Sequence, residues 1–221
     1  IYIFSNRIKN FFRKLLIMKH GIIDLEIGNI ASLAAAIKKL NINYKIIKSN
    51  SDFHNIDKII LPGVGAYKDF MKKIKDRQID KILEEKIKMK IPLLGVCVGF
   101  QVLFEKSNEF GDCKGLSFLK GEIKSFKDYS EQIKVPHVGW NECSIKKKDK
   151  LFQDIDNNSD FYFTHSYFLE KTTEANILTL TNYQIDFISS ISKKNIYGVQ
   201  FHPEKSQVSG LKLIKNFHDI C

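Results

Sequence analysis

From residue 18 onward, short apolar runs alternate with stretches in which apolar residues recur every three or four positions. The runs 21–24, 44–47 and 58–61 predict three strands, and a fourth ends at 93–96. Between these runs, two groups of apolar residues have helical spacing and predict the intervening helices: Ile30, Leu33, Ile37 and Leu40, and then Phe70, Ile74, Ile82, Leu83 and Ile87. Strands separated by helices of this length predict right-handed crossovers and a mainly parallel central sheet flanked by helices.

Beyond residue 105 the pattern changes to strand-like runs with few helical intervals. These runs predict an extra mixed or antiparallel sheet layer: 121–126, 161–164, 177–181, 187–192 and 196–201. A last helix is predicted over 207–219, and Gly28 with Asn29 predicts the turn and N-cap before the first helix. The pattern as a whole predicts an α/β fold in one domain, residues 18–221.

Residues 1–17 stand apart because they contain four basic residues and no acidic one. One interpretation is an amphipathic targeting or membrane-surface helix. The other is upstream sequence translated from a start placed too early, which the Met at position 18 and the absence of Met at position 1 favour. In either case we expect this extension to lie outside the core.

Composition and charge narrow the class of protein. With 221 residues, 43% of them hydrophobic, the chain is long enough for one packed globular domain. No apolar run is long enough to cross a bilayer, and the four cysteines form no C-x-x-C pair, so we expect a cytoplasmic protein without a metal or cofactor. The net charge of +10 is scattered, with Lys146 to Lys148 as a short run, so neither a nucleic acid nor a membrane is an expected partner.

The segment Gly95-Val96-Cys97-Val98-Gly99 follows a predicted strand and precedes a helix predicted over 100–105. It is a cysteine version of the Gly-x-Ser-x-Gly nucleophile elbow, in which the glycines let the chain turn sharply. Free N–H groups and the helix dipole at such a turn favour the thiolate that attacks carbonyl carbon. The alternative is a buried free cysteine in a glycine-tolerant turn.

Two further segments are expected at strand ends on the same side of the sheet, where ligands bind in open α/β folds: 61–66 and 198–204. In an extended chain His202 and Glu204 point the same way, and Pro203 stiffens the backbone between them. A carboxylate beside an imidazole fixes its tautomer. We therefore predict Cys97 as nucleophile, His202 as general acid and base, and Glu204 as the residue that orients His202. Taken singly, a histidine in a strand-end loop is more often structural or merely exposed, and a Gly-Val-Gly turn is often only a turn.

Five segments make this combination specific: LPGVGAY (61–67), LLGVCVGFQVLF (93–104), KVPHVGWN (134–141), FYFTHSYF (161–168) and GVQFHPEKS (198–206). They resemble the class I (triad) glutamine amidotransferases, and within them the glutaminase subunits of imidazole glycerol phosphate synthase. The resemblance implies a flavodoxin-like fold, a type 1 glutamine amidotransferase domain over 18–221, and hydrolysis of glutamine to glutamate and ammonia. It also implies a heterodimer with a (β/α)8-barrel cyclase that uses the ammonia in histidine biosynthesis.

The same resemblance implies roles for further residues. The oxyanion donors would be the backbone N–H of Val98 and a second one from the loop that holds Gly63 and Val64. The implied substrate-binding residues are Gln101, Glu109, Ser166 and Tyr167, with Glu109 placed at the α-ammonium group. Three residues would shape the interface and the ammonia exit: His137, Trp140 and Asn141.

The sequence departs from the family pattern at three places. Leu25-Glu26 stands where a tyrosine and a glycine are frequent, Ala31 where an arginine is frequent, and Phe100 where a methionine is frequent. None of these is a triad residue, but they leave open a paralogue that supplies ammonia to a surface-sugar pathway. A non-catalytic regulatory subunit is the distant alternative, and the intact Cys97, His202 and Glu204 argue against it.

Overall fold

The computed structural model describes residues 18–28 and 30–220. The extension over 1–17, the predicted N-cap at Asn29 and Cys221 lie outside the described residues. The helices are α1 (Ile30–Lys39), α2 (Tyr67–Asp76), α3 (Ile79–Lys88), α4 (Val98–Gln101) and α5 (Gln207–Asp219). The strands are β1 (Lys19–Ile23), β2 (Asn43–Ile47), β3 (Lys58–Gly63), β4 (Leu93–Cys97), β5 (Lys106–Ser107), β6 (Cys113–Lys114), β7 (Glu122–Ser125), β8 (His137–Ile145), β9 (Ser159–His165), β10 (Tyr167–Leu169), β11 (Asn176–Tyr183), β12 (Ile185–Lys193) and β13 (Ile196–Val199).

The parallel part of the sheet has the strand order β2-β1-β3-β4-β13. This is the 2-1-3-4-5 order of flavodoxin-like sheets, so the predicted mainly parallel α/β fold is confirmed. The register pairs Gly63 with Cys97 and Val199 with Val96. Because these strands are parallel and in this register, the loops that follow β3, β4 and β13 leave the sheet at the same edge.

The predicted mixed or antiparallel part of the sheet is present and continues directly from the central sheet, but the run 196–201 was wrongly assigned to it, because β13 pairs parallel with β4. Strand β12 pairs antiparallel with β13, β10 and β11, and β11 leads on to β8 and β9. Strand β8 was not predicted, because its apolar residues Val138 and Trp140 face outward while the polar His137 is buried. Its pairing with β9 sets His137 opposite His165.

The helix after β4 is shorter than predicted. It covers Val98–Gln101, one turn, instead of 100–105. The carbonyls of Val102 and Leu103 do not continue the helix but accept hydrogen bonds from Leu116 N (2.8 Å) and Phe118 N (3.0 Å). A returning segment of chain therefore ends the helix, and the dipole of a single turn is small.

Packed phenylalanines fill the space behind this edge of the sheet. The rings of Phe161 and Phe201 lie 4.1 Å apart between centroids, and Phe163 contacts Phe201 edge-on at 5.7 Å. All three side chains are fully buried. Within residues 18–28 and 30–220, no helix has the length and apolar character that a bilayer crossing requires.

We expect Phe201→Ala to lower the free energy of unfolding by about 3–5 kcal/mol, because the missing ring leaves a cavity beside Phe161 and Phe163. Urea and thermal unfolding followed by circular dichroism measure this loss. Phe110→Ala is the matched control, since Phe110 is 78% exposed and its truncation is expected to change stability by no more than about 0.5 kcal/mol. Equal effects of the two substitutions would contradict the packing argument.

Candidate active site

Cys97 lies at the junction of β4 and α4 with an unusual backbone. Its φ is 55° and its ψ −113°, a conformation that costs a non-glycine residue free energy. We predicted that Gly95 and Gly99 would make the sharp turn; instead, Cys97 itself makes it. The glycines are needed for space, because a Cβ on Gly99 would lie 1.8 Å from the Leu61 carbonyl oxygen and one on Gly95 2.6 Å from the Gly99 oxygen.

His202 and Glu204 meet at the end of β13. His202 Nδ1 lies 2.8 Å from Glu204 Oε1, and both side chains are buried. We expected an extended chain here, but Pro203–Lys205 is a 3-10 turn. The turn is held by Ser206, whose hydroxyl donates to the His202 carbonyl at 2.6 Å, and His202 N donates to Tyr162 O at 2.8 Å. The turn, and not side-chain alternation, places Glu204 against the ring.

The electrostatics of this pair involve Cys97. Burial alone would lower the pKa of His202, but its interactions with the Cys97 sulfur and the Glu204 carboxylate outweigh burial and raise the pKa to about 10. The imidazole is therefore charged at neutral pH. Its second nitrogen, Nε2, is buried, and among the described residues no acceptor is positioned to form a hydrogen bond with it. The Nε2 proton is therefore available to a ligand.

A second histidine of the site, His165, is neutral. Burial and the neighbouring His137 ring lower its pKa to about 3, and burial lowers the pKa of His137 to about 4. His165 Nδ1 donates to the Tyr167 carbonyl (2.8 Å), so its Nε2 accepts from His137 Nδ1 (3.0 Å). The two rings thus form an uncharged chain, and His202 is the cationic histidine beside Cys97.

A cavity of about 210 Å³ opens beside the Cys97 sulfur. It is smaller than the pockets of drug-sized ligands and suits a molecule of amino-acid size. Seven of the predicted site residues line it: Val64, Cys97, Val98, Gln101, Glu109, Ser166 and Tyr167. Four lining residues were not predicted: Gly65, Pro136, Thr164 and His165.

The remaining predicted residues are not among those that line this cavity. Gly63 borders a much smaller space that His202 and Glu204 also line. Trp140 is 43% exposed on β8, with its ring edge-on to Tyr162. Asn141 donates to the Asn182 carbonyl at 2.9 Å. A larger open groove of about 880 Å³ follows residues 145–150 and contains none of the predicted site residues.

Glu109 supplies a carboxylate to the cavity. One of its oxygens accepts the backbone N–H of Tyr67 at 2.7 Å, at the start of α2. Burial raises the pKa of Glu109 above its ordinary value, and the hydrogen bond from Tyr67 only partly offsets this. A half-buried carboxylate of this kind favours a cationic ligand group.

Gln200 is the main residue that the sequence reasoning missed. It is fully buried, and its Nε2 lies 3.9 Å from the Cys97 sulfur. The available signal was the spacing of Gln200 and His202, which puts both at one strand end two residues apart. Among the described residues, no cluster of three or more His, Cys, Asp or Glu side chains has the arrangement of a metal site.

Comparisons with known proteins agree with this geometry. The model of the family "Glutamine amidotransferase class-I" matches residues 21–220. The chain is 42% identical over 198 residues to imidazole glycerol phosphate synthase subunit HisH 1 of Campylobacter jejuni, covering 89% of this chain and 98% of that one. It is 40% identical over 200 residues to subunit HisH of Leptospira borgpetersenii, with the same two coverages, 89% and 98%.

A crystal structure of a glutamine amidotransferase superposes with a TM-score of 0.71 at 15% identity, covering 90% of this chain and 96% of that one, and shows the shared fold. The family model and the two relatives each span most of the chain. This protein therefore belongs to the class I glutamine amidotransferase family.

Proposed function

We propose that this protein is the cytoplasmic glutaminase subunit of imidazole glycerol phosphate synthase. It hydrolyses glutamine to glutamate and ammonia and delivers the ammonia to a (β/α)8-barrel cyclase in a heterodimer of the histidine pathway. The observation that carries the chemistry is the buried arrangement of Cys97, His202 and Glu204 beside an amino-acid-sized cavity. The subunit assignment is supported by the names of relatives that align over nearly their whole length.

In the first half-reaction the Cys97 thiolate attacks the side-chain carbonyl carbon of glutamine and forms a tetrahedral intermediate. The His202 imidazolium donates its Nε2 proton to the amide nitrogen, the C–N bond breaks, and ammonia leaves. In the second, the now neutral His202 takes a proton from water, which attacks the thioester. The C–S bond breaks, and glutamate and the thiolate are released.

Glu204 keeps His202 oriented through these proton transfers. Its Oε1 lies 2.8 Å from His202 Nδ1 and accepts the Nδ1–H hydrogen bond, which fixes the tautomer of the ring. The backbone N–H of Val98, the residue after the nucleophile, is our first oxyanion donor. The second comes from the loop after β3, where Val64 borders the cavity. Each such donor contributes on the order of 10²–10³ in rate.

The other end of glutamine is bound at the far side of the cavity. We assign the α-ammonium group to Glu109, whose second carboxylate oxygen is not used by the Tyr67 bond. Gln101, Ser166 and Tyr167 complete the substrate pocket. Trp140 and Asn141 lie on β8 outside the cavity, and we assign them with His137 to the partner interface and the ammonia exit.

One alternative has a specific observation in its favour: a paralogue that feeds a surface-sugar pathway. The departures Leu25-Glu26 and Ala31 flank a loop whose Ile27 and Gly28 share a small cavity with Val64 and His202. They therefore lie close to the loop that holds Val64 and to His202. Relatives are also found as numbered copies, HisH 1 and HisH 2, in different organisms.

We expect the purified protein to release ammonia from glutamine slowly alone and faster when a barrel cyclase and its nucleotide ligand are added. A coupled glutamate assay measures both rates. Cys97→Ser is expected to lower the rate by on the order of 10⁴-fold or more, as for other triads. Full activity of Cys97→Ser would overturn the glutaminase assignment, and equal rates with and without the cyclase would overturn the coupling.

The pH dependence of kcat/KM tests the His202–Glu204 pair. Because the pKa of His202 is raised to about 10, the acid form persists through neutral pH and is lost as pH rises through that value. Glu204→Gln removes a negative charge that stabilises the imidazolium, so the alkaline loss of activity moves to lower pH. Glu84→Gln, an exposed carboxylate on α3, serves as control. An unchanged alkaline limb in Glu204→Gln would contradict the assigned role of Glu204.

Genetic rescue separates the two partner assignments. We expect the gene to restore growth of a histidine auxotroph that lacks this subunit, provided that the matching cyclase gene is supplied with it. The Cys97→Ser gene is expected to fail unless the medium contains excess ammonia, which bypasses glutamine hydrolysis. Failure of the unaltered gene alongside normal glutaminase activity in vitro would favour the surface-sugar paralogue.

A further inference from the structure

A chain of amide contacts leads from the far wall of the cavity to the nucleophile. Gln101 Nε2 donates to the Tyr167 carbonyl at 2.7 Å and to Gln200 Oε1 at 3.0 Å. Gln200 Nε2 in turn lies 3.9 Å from the Cys97 sulfur, within the range of an N–H···S hydrogen bond. This chain of contacts thus links α4 and the end of β13 to the Cys97 sulfur.

The contacts fix the orientation of both amides. A carbonyl oxygen accepts hydrogen bonds but cannot donate them, so the group of Gln101 that faces Tyr167 O must be its NH₂. His165 Nδ1 donates to the same carbonyl oxygen at 2.8 Å. The second N–H of Gln101 then requires an acceptor, which is Gln200 Oε1. The NH₂ group of Gln200 is therefore the end that faces the sulfur.

Burial strengthens the contact between Gln200 and the Cys97 sulfur. Gln200 has no exposed surface, Gln101 is 3% exposed and Cys97 is 2% exposed. A buried N–H without an acceptor costs free energy, and a hydrogen bond to a charged atom is stronger in such surroundings than in water. The thiolate is a better acceptor than the thiol, so the Gln200 N–H favours the charged state of Cys97.

We propose that Gln200 stabilises the Cys97 thiolate by donating its amide N–H to the sulfur, and that Gln101 is a positioning residue that holds Gln200 in this orientation. This inference rests on the proposed function, which makes Cys97 the nucleophile. Gln101 also lines the cavity, so one residue contacts the substrate pocket and orients the donor to the nucleophile.

Alkylation by iodoacetamide tests the proposal without requiring turnover. The rate at Cys97, followed by peptide mass spectrometry between pH 5 and 10, reports the thiolate fraction. In Gln200→Met, which keeps the length and removes the N–H, we expect the midpoint to rise by about one pH unit, so that alkylation becomes about tenfold slower at pH values below the midpoint of the unaltered protein. Gln101→Met is expected to give a smaller shift in the same direction.

Glutaminase kinetics supply a second readout. In Gln200→Met, kcat/KM is expected to fall about tenfold at pH values below the alkylation midpoint of the unaltered protein and to recover as the pH passes the new midpoint. A purely structural role would lower activity equally at every pH. Gln132→Met, at an exposed position, is the control, and circular dichroism verifies that each variant is folded.

The outcomes separate this inference from the proposed function. An unchanged alkylation midpoint in folded Gln200→Met and Gln101→Met, with a reactive Cys97 in the unaltered protein, overturns the role of Gln200 alone. An unaltered protein whose Cys97 reacts no faster than an ordinary thiol, and which releases no ammonia, overturns the proposed function. A raised midpoint in Gln200→Met supports the inference.

Discussion

The close contact between α4 and the sheet determines the position of Cys97, the proposed nucleophile. A Cβ on Gly99 would overlap the Leu61 carbonyl, and one on Gly198 would lie 2.3 Å from the Phe100 ring. The backbone of Gly99 therefore packs directly against the Leu61 carbonyl, and the backbone of Gly198 packs against the Phe100 ring. This close packing restricts the conformation of the chain between β4 and α4. Such confinement maintains the positive φ of Cys97, a conformation that costs of order 1–3 kcal/mol.

Burial and the contacts of each ring determine which of the three histidines of the site is charged. His165 and His137 stay neutral because burial lowers the pKa of both rings, and the hydrogen bond of His165 to the Tyr167 carbonyl only partly offsets this. His202 is charged because it alone of the three contacts a carboxylate and the sulfur. In a medium of low dielectric constant, the positive charge of His202 also disfavours a second proton on His165. The charged His202 therefore carries an acidic proton next to Cys97, the proposed nucleophile.

The sequence predicted the elements whose pattern is local. The strands β1 to β4, the last helix over Gln207–Asp219 and the segments that carry Cys97 and His202 follow from periodicity and motif. The end of α4 could not be predicted, because it depends on hydrogen bonds from Leu116 and Phe118, more than ten residues away.

Strand β8 was missed for a related reason. Its exposed Val138 and Trp140 and its buried His137 invert the usual pattern of a half-buried strand. The contact between Gln200 and Cys97 joins residues 103 positions apart, and its direction depends on a third residue, Gln101. Contacts of this kind require the fold before they can be inferred.

Two of the three departures from the family pattern, Leu25-Glu26 and Ala31, lie away from the proposed catalytic residues, whereas Phe100 lies in α4, directly after Cys97. The proposed catalytic and oxyanion residues lie at the ends of β3, β4 and β13, whereas Leu25 and Glu26 follow β1. Leu25 is buried, and Glu26 binds Arg77 at 2.8 Å, so this loop is anchored to the end of α2. The sequence of the β1 loop can therefore change while Cys97, His202 and Gln200 keep their contacts. For this reason ammonia release alone does not identify the partner, and growth rescue is the more informative measurement.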